Sequence, residues 1–187
     1  MNTWITFILL SVVSLFCCQS PSESRLGEEM QETSRQGAVG ATDSQKNQNP
    51  YYSRTDTSRL VLPDSTWRRV LPADVYQIAR KKGTERAFTG KYWNHTGLGT
   101  YYCRACGNAL FRSDAKFASD CGWPSFFEVL RKNSVTYQND NSHGMERIEV
   151  LCGRCDGHLG HLFDDGPPPT GKRFCMNSIV LDFEQGL

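Results

Sequence analysis

Eight cysteines in 187 residues are the feature of this sequence with the most chemistry in it. Cys103-Arg104-Ala105-Cys106-Gly107 and Cys152-Gly153-Arg154-Cys155 each set two thiols across two intervening residues. That spacing lets one tight turn deliver two thiolates to a single ion. Two such knuckles complete a tetrahedral four-sulfur site. Zinc and iron both accept that geometry, and zinc is favoured because nothing nearby calls for one-electron chemistry. Two disulfides or two separate redox pairs are the alternatives. A disulfide closed over two residues is strained and easily reduced, a poor staple. The reading is therefore one structural Zn2+ per chain, held by Cys103, Cys106, Cys152 and Cys155, in a closed site that does not touch a substrate.

Cys175, in Arg173-Phe174-Cys175-Met176-Asn177-Ser178, is a different kind of cysteine. A nucleophilic thiol needs help to ionise, and the guanidinium of Arg173 favours the anion. Taken singly, a cysteine entering a strand is more often a small buried hydrophobe. The preceding segment, Gly157-His158-Leu159-Gly160-His161-Leu162-Phe163-Asp164-Asp165-Gly166-Pro167, adds two histidines and two carboxylates. Its glycines and prolines predict a loop that presents these groups to a cleft. Because four cysteines already complete a metal site, acid–base work suits the histidines better than ligation. Ser119-Asp120-Cys121-Gly122-Trp123-Pro124 supplies a second single cysteine beside a large aromatic that would otherwise read as a core anchor. Two unpaired cysteines in this company point to thiol redox chemistry, with Cys175 attacking and Cys121 rescuing it as a disulfide.

These groups need elements to hold them. Asp64 or Ser65 is placed to cap a helical turn around Trp67–Val70. Pro72 suits the first turn of a second helix with Leu71, Val75 and Ile78 on one face and Gly83 at its end. Thereafter, short runs rich in aromatic and β-branched residues predict strands at 87–92, 100–103, 134–138, 147–152 and 178–183. No helix-length period separates them, so the sheet is expected to be antiparallel and the class mainly β with small N-terminal helices.

A net charge of +1, from 21 basic and 20 acidic residues, argues against nucleic acid as a partner. Residues 1–18 are apolar and signal-like, and 19–59 are polar enough to be a disordered tether, leaving 60–187 as the folded domain. The leader implies export, periplasmic or secreted. Leu15-Phe16-Cys17-Cys18 loosely resembles a lipoprotein processing site, so membrane anchoring through Cys18 stands beside plain secretion and a retained anchor.

The segments Gly83–Gly90, Cys121–Phe126, His158–His161 and Arg173–Ser178, interleaved with the two knuckles, together resemble the methionine sulfoxide reductase B family from about Asp64 to Phe183. The resemblance implies two antiparallel sheets of short strands with small helices. It implies reduction of the R diastereomer of methionine sulfoxide in peptides or proteins, a repair activity under oxidative stress. Cys175 would become a sulfenic acid, with His161, aided by His158, protonating the departing oxygen. Cys121 would resolve that acid, and thioredoxin or a similar reductant would reduce the disulfide. Trp123, with Phe163, would receive the substrate's methyl group. Asp165 and Asn177 would orient water and the histidines, unless Asp165 and Arg173 only form a structural ion pair. A monomer is expected. Two rivals remain from the residues alone. A zinc-knuckle binding module lacks a basic cluster here, and a disulfide exchanger built on Cys-x-x-Cys lacks the helix that depresses a thiol.

Overall fold

A computed structural model describes residues 49–186. The leader and residues 19–48 lie outside the described residues. Among the described residues two helices come first, α1 (Asp64–Val70) and α2 (Ala73–Ala79). Neither has a side-chain cap, because Pro63 and Pro72 occupy the N-cap positions where Asp64 or Ser65 was expected to act for α1. Trp67, Val75 and Ile78 are buried as the apolar spacing requires.

Nine strands follow, all paired antiparallel. A three-stranded sheet runs β2 (Ala109–Arg112), β1 (Gly99–Cys103), β9 (Leu181–Gln185). A six-stranded sheet runs β3 (Lys116–Phe117), β4 (Ser125–Phe126), β8 (Arg173–Met176), β7 (His158–Phe163), β6 (Arg147–Cys152), β5 (Val135–Asp140). The predicted mainly β class with two antiparallel sheets holds. The core lies between them. Phe111 of β2 stacks on Phe126 of β4 at 4.3 Å, and Tyr101 of β1 meets the same ring edge-on at 5.0 Å. All three are fully buried, each contributing roughly 1.5–3 kcal/mol by removal from water.

The other face of the large sheet carries polar groups in rows set by register. Directly paired residues share a face, so Gln138, Glu149, His161, Cys175 and Ser125 form one continuous row across β5, β6, β7, β8 and β4. Gly160 lets the strands come together at Cys175. A Cβ there would stand 2.0 Å from the Cys175 carbonyl oxygen.

The structure differs from expectation in four further places. His158 and His161 lie on β7 and not on a loop, because the strand accommodates Gly160 and the prolines all fall beyond Phe163. Residues 87–92 form turns instead of a strand, with Phe88 at φ +65°. The strand expected from Ser178 begins at Leu181, after a 3-10 turn over Ser178–Val180. Finally, residues 49–59 are not tether. Asn49 Nδ2 donates to the Ala105 carbonyl, Ser53 N–H to the Cys106 carbonyl, and Arg154 binds the Tyr51 carbonyl and the Asp56 carboxylate. A polar segment with little to bury is held by hydrogen bonds and ion pairs, those of the buried Arg154 among them.

Candidate active site

Each cysteine knuckle is the turn of a hairpin. Cys103 ends β1 and Cys152 ends β6, and the two turns close alike: Gly107 N–H donates to the Cys103 carbonyl, and Asp156 N–H to the Cys152 carbonyl. The four thiols converge, with Cys103 and Cys155 Sγ 3.8 Å apart and Cys106 and Cys152 Sγ 3.6 Å apart. A tetrahedron with metal–sulfur bonds of about 2.3 Å has edges close to these distances. Contact with Cys106, then Cys152 and Cys155, pushes the Cys103 thiol well up, since four buried sulfurs cannot all ionise without a cation. The donor set therefore fits a metal ion. Asn108 Nδ2 lies 3.6 Å from Cys152 Sγ, and the guanidinium of Arg154 is buried beside Cys106, both suited to an anionic thiolate cluster.

The two remaining described cysteines meet elsewhere. Cys121 Sγ lies 3.5 Å from Cys175 Sγ. Burial pushes the Cys175 thiol up to about 12, with the neighbouring Cys121 adding to the effect and Arg173 opposing it. Arg173 acts toward the anion, and burial outweighs it. The guanidinium is also engaged in a two-point bond with Asp165, at 2.7 and 2.8 Å, and lies over the Phe163 ring. For Cys121 burial also acts upward, yet hydrogen bonds from Ser119 and Ser125 bring it down to about 7. The two thiols titrate as a pair, so near neutrality one negative charge rests first on Cys121.

His161 stands opposite Cys175 in register, and its Nε2 lies 2.7 Å from the Asp140 carboxylate, which also receives Arg147. His158 is buried, its Nδ1 2.7 Å from Glu149, and its ring lies edge-on to His161 with centroids 5.5 Å apart. Trp123 Nε1 donates to the Glu85 carbonyl, and Glu85 N–H donates to Asn177 Oδ1. Asn177 in turn donates to the Leu159 carbonyl. Its side chain is therefore spent on bracing the Trp123-bearing loop against β7, and not on orienting the histidines. Gly122, at φ +85°, lets the Cys121 loop press against Ala87 and Phe88.

The sequence reading missed Glu149, Lys82, Asp140, Ser119, Ser125 and Glu85. Glu149 carried a signal, a charged residue inside the apolar alternation of Ile148-Glu149-Val150-Leu151. Lys82, Asp140 and Glu85 become visible only when the fold joins segments distant in sequence, whereas Ser119 and Ser125 lie within four residues of Cys121.

The SelR domain model matches residues 71–185. The chain is 57% identical over 124 residues to a protein of Cellvibrio japonicus named peptide methionine sulfoxide reductase MsrB, covering 65% of this chain and 89% of that one. Proteins of the same name from Thiobacillus denitrificans and Leptospira interrogans are 56% and 52% identical, over 64% and 65% of this chain and 91% and 93% of theirs. The chain belongs to the SelR-domain family, that of the methionine-R-sulfoxide reductases of the B type.

Proposed function

We propose that this chain reduces methionine-R-sulfoxide in oxidised proteins and peptides, with Cys175 as nucleophile and Cys121 as resolving thiol. The observation that carries this reading is the 3.5 Å contact of the two sulfurs beside His161. The Cys175 thiolate attacks the sulfoxide sulfur, and the oxygen moves to Cys175 as it takes up a proton. The products are methionine and a Cys175 sulfenic acid. His161, anchored by Asp140, is placed to supply that proton. Cys121 then attacks the sulfenic sulfur; a second proton is consumed, water leaves, and a disulfide remains. A thioredoxin-type dithiol returns two electrons and two protons to regenerate both thiols.

Trp123, held by Glu85, offers its face to the sulfoxide methyl group, and Phe163 lies further along the same sheet face. The four-cysteine cluster holds zinc, one per chain, which crosslinks the two hairpins and balances the thiolate charge. Residues 1–18 direct export, to the periplasm or outside the cell, with Cys18 as a site for lipid attachment. The reductant is then a thioredoxin-like protein of that compartment.

The test is turnover of resolved diastereomers of a peptide methionine sulfoxide with dithiothreitol. Reduction of the R form alone is expected. Equal reduction of both forms, or of the S form only, contradicts the proposal.

A further inference from the structure

Glu149 is a charged residue with only 1% of its surface exposed, and burying a carboxylate costs several kcal/mol unless it is fully partnered. Its partners come from two elements. Lys82 Nζ bonds Oε2 at 2.7 Å, and His158 Nδ1 bonds Oε1 at 2.7 Å. Lys82 reaches the carboxylate from a left-handed backbone position, φ +57°, which a lysine adopts at a cost in strain. The opposite nitrogen of the same imidazole, Nε2 of His158, is buried with no hydrogen-bond partner among the described residues.

We propose that Glu149, clamped by Lys82, is a positioning residue that holds His158 as the neutral tautomer with its proton on Nδ1, keeping Nε2 as a proton acceptor beside His161. The inference rests on the proposed role of His158 in sulfoxide reduction. A carboxylate already engaged by an ammonium accepts the Nδ1–H, and that fixes both tautomer and ring orientation. Burial lowers the affinity of His158 for a second proton, opposed by Glu149 and aided by His161 and Lys82, the other charged or titratable groups facing the ring. His161 meets a different carboxylate, Asp140, through Nε2. The two histidines are thereby given separate tasks. His158 is fixed as an acceptor, and His161 is left to act as the acid. Neighbouring titratable groups held in contrasting environments divide acid and base roles in this way.

The test uses the full chain with its metal bound. Long-range proton–nitrogen spectra report which nitrogen of His158 carries the proton, and rapid-quench measurement of methionine reports a single turnover. Glu149→Gln should shift the His158 proton toward Nε2 and slow the single turnover roughly 10- to 100-fold. It should also displace the pH profile while leaving KM and metal content unchanged. Glu149→Asp should recover part of the rate. A Glu149→Gln protein with the wild-type rate, or with a slow rate but an unchanged tautomer, overturns the inference. If Glu149→Gln does not fold, Lys82→Met carries the same tautomer test, since that side chain is largely in solvent. A His158→Gln protein as fast as wild type would instead remove the reading on which the inference rests.

Discussion

The sulfur atoms of Cys121 and Cys175, 54 positions apart in sequence, lie 3.5 Å from each other. Their contact follows from the pairing of β4 with β8, which sets Ser125 opposite Cys175 and folds the Cys121 loop back over it. A disulfide needs the sulfurs to close by about 1.5 Å, a local adjustment of the loop.

Replacing Cys121 by serine should leave the first turnover intact and stop recycling by a thioredoxin-type reductant. Methionine released per enzyme, measured with and without that reductant, distinguishes the cases. Unchanged multiple turnover would mean that another thiol resolves Cys175.

The pair also sets a pH dependence of stability. Cys121 is lowered from 9.0 to about 7 in the fold, so between those values the folded state binds fewer protons than the unfolded state, and stability rises with pH. Cys175 is raised from 9.0 to about 12, so above 9.0 the folded state holds the extra proton and stability falls. Denaturant midpoints of the reduced protein, compared with Cys175→Ser, should show the alkaline fall shrinking in the variant. Ser119→Ala should move the pH midpoint of Cys121 alkylation upward, because a hydrogen bond to the thiolate is lost.

How much of this was legible in the sequence follows the range of the interactions. The knuckles were readable because each is local, two thiols and a turn. Strand β6 was readable at its exact ends, Arg147 and Cys152, from its alternation. Strands β3 and β4, two residues each, carry no periodicity at all and exist only through pairing with neighbours. Histidine-bearing β7 was hidden by Gly157 just before it and Gly160 within it, the latter needed for close approach to β8. The depressed thiol of Cys121 was likewise unreadable, since it depends on Ser119 and Ser125 converging on one sulfur.

Stripping the metal with a chelator under reducing conditions should lower the melting temperature by roughly 10 °C or more, because an ion held by the four cysteines would join two hairpins of different sheets. Cys106→Ser or Cys152→Ser should do the same. Calorimetry with metal analysis checks this, and a metal-free protein of unchanged stability would oppose it.

Trp123→Ala should reduce kcat/KM for a peptide sulfoxide roughly 10- to 100-fold, the equivalent of losing one aromatic contact of about 1.5–3 kcal/mol. Alkylation of Cys175 in the absence of substrate should be affected far less. Steady-state kinetics alongside alkylation rates separates a lost substrate contact from a disturbed loop.

The most direct measurement gives the reduced Cys121→Ser protein one equivalent of methionine-R-sulfoxide in a peptide, with a sulfenic-acid trap, and maps the adduct by mass spectrometry. The account predicts one methionine formed per chain and the trapped oxygenated sulfur at Cys175. Methionine formed at the same rate with no adduct at Cys175, or in a chain that also carries Cys175→Ser, would contradict it.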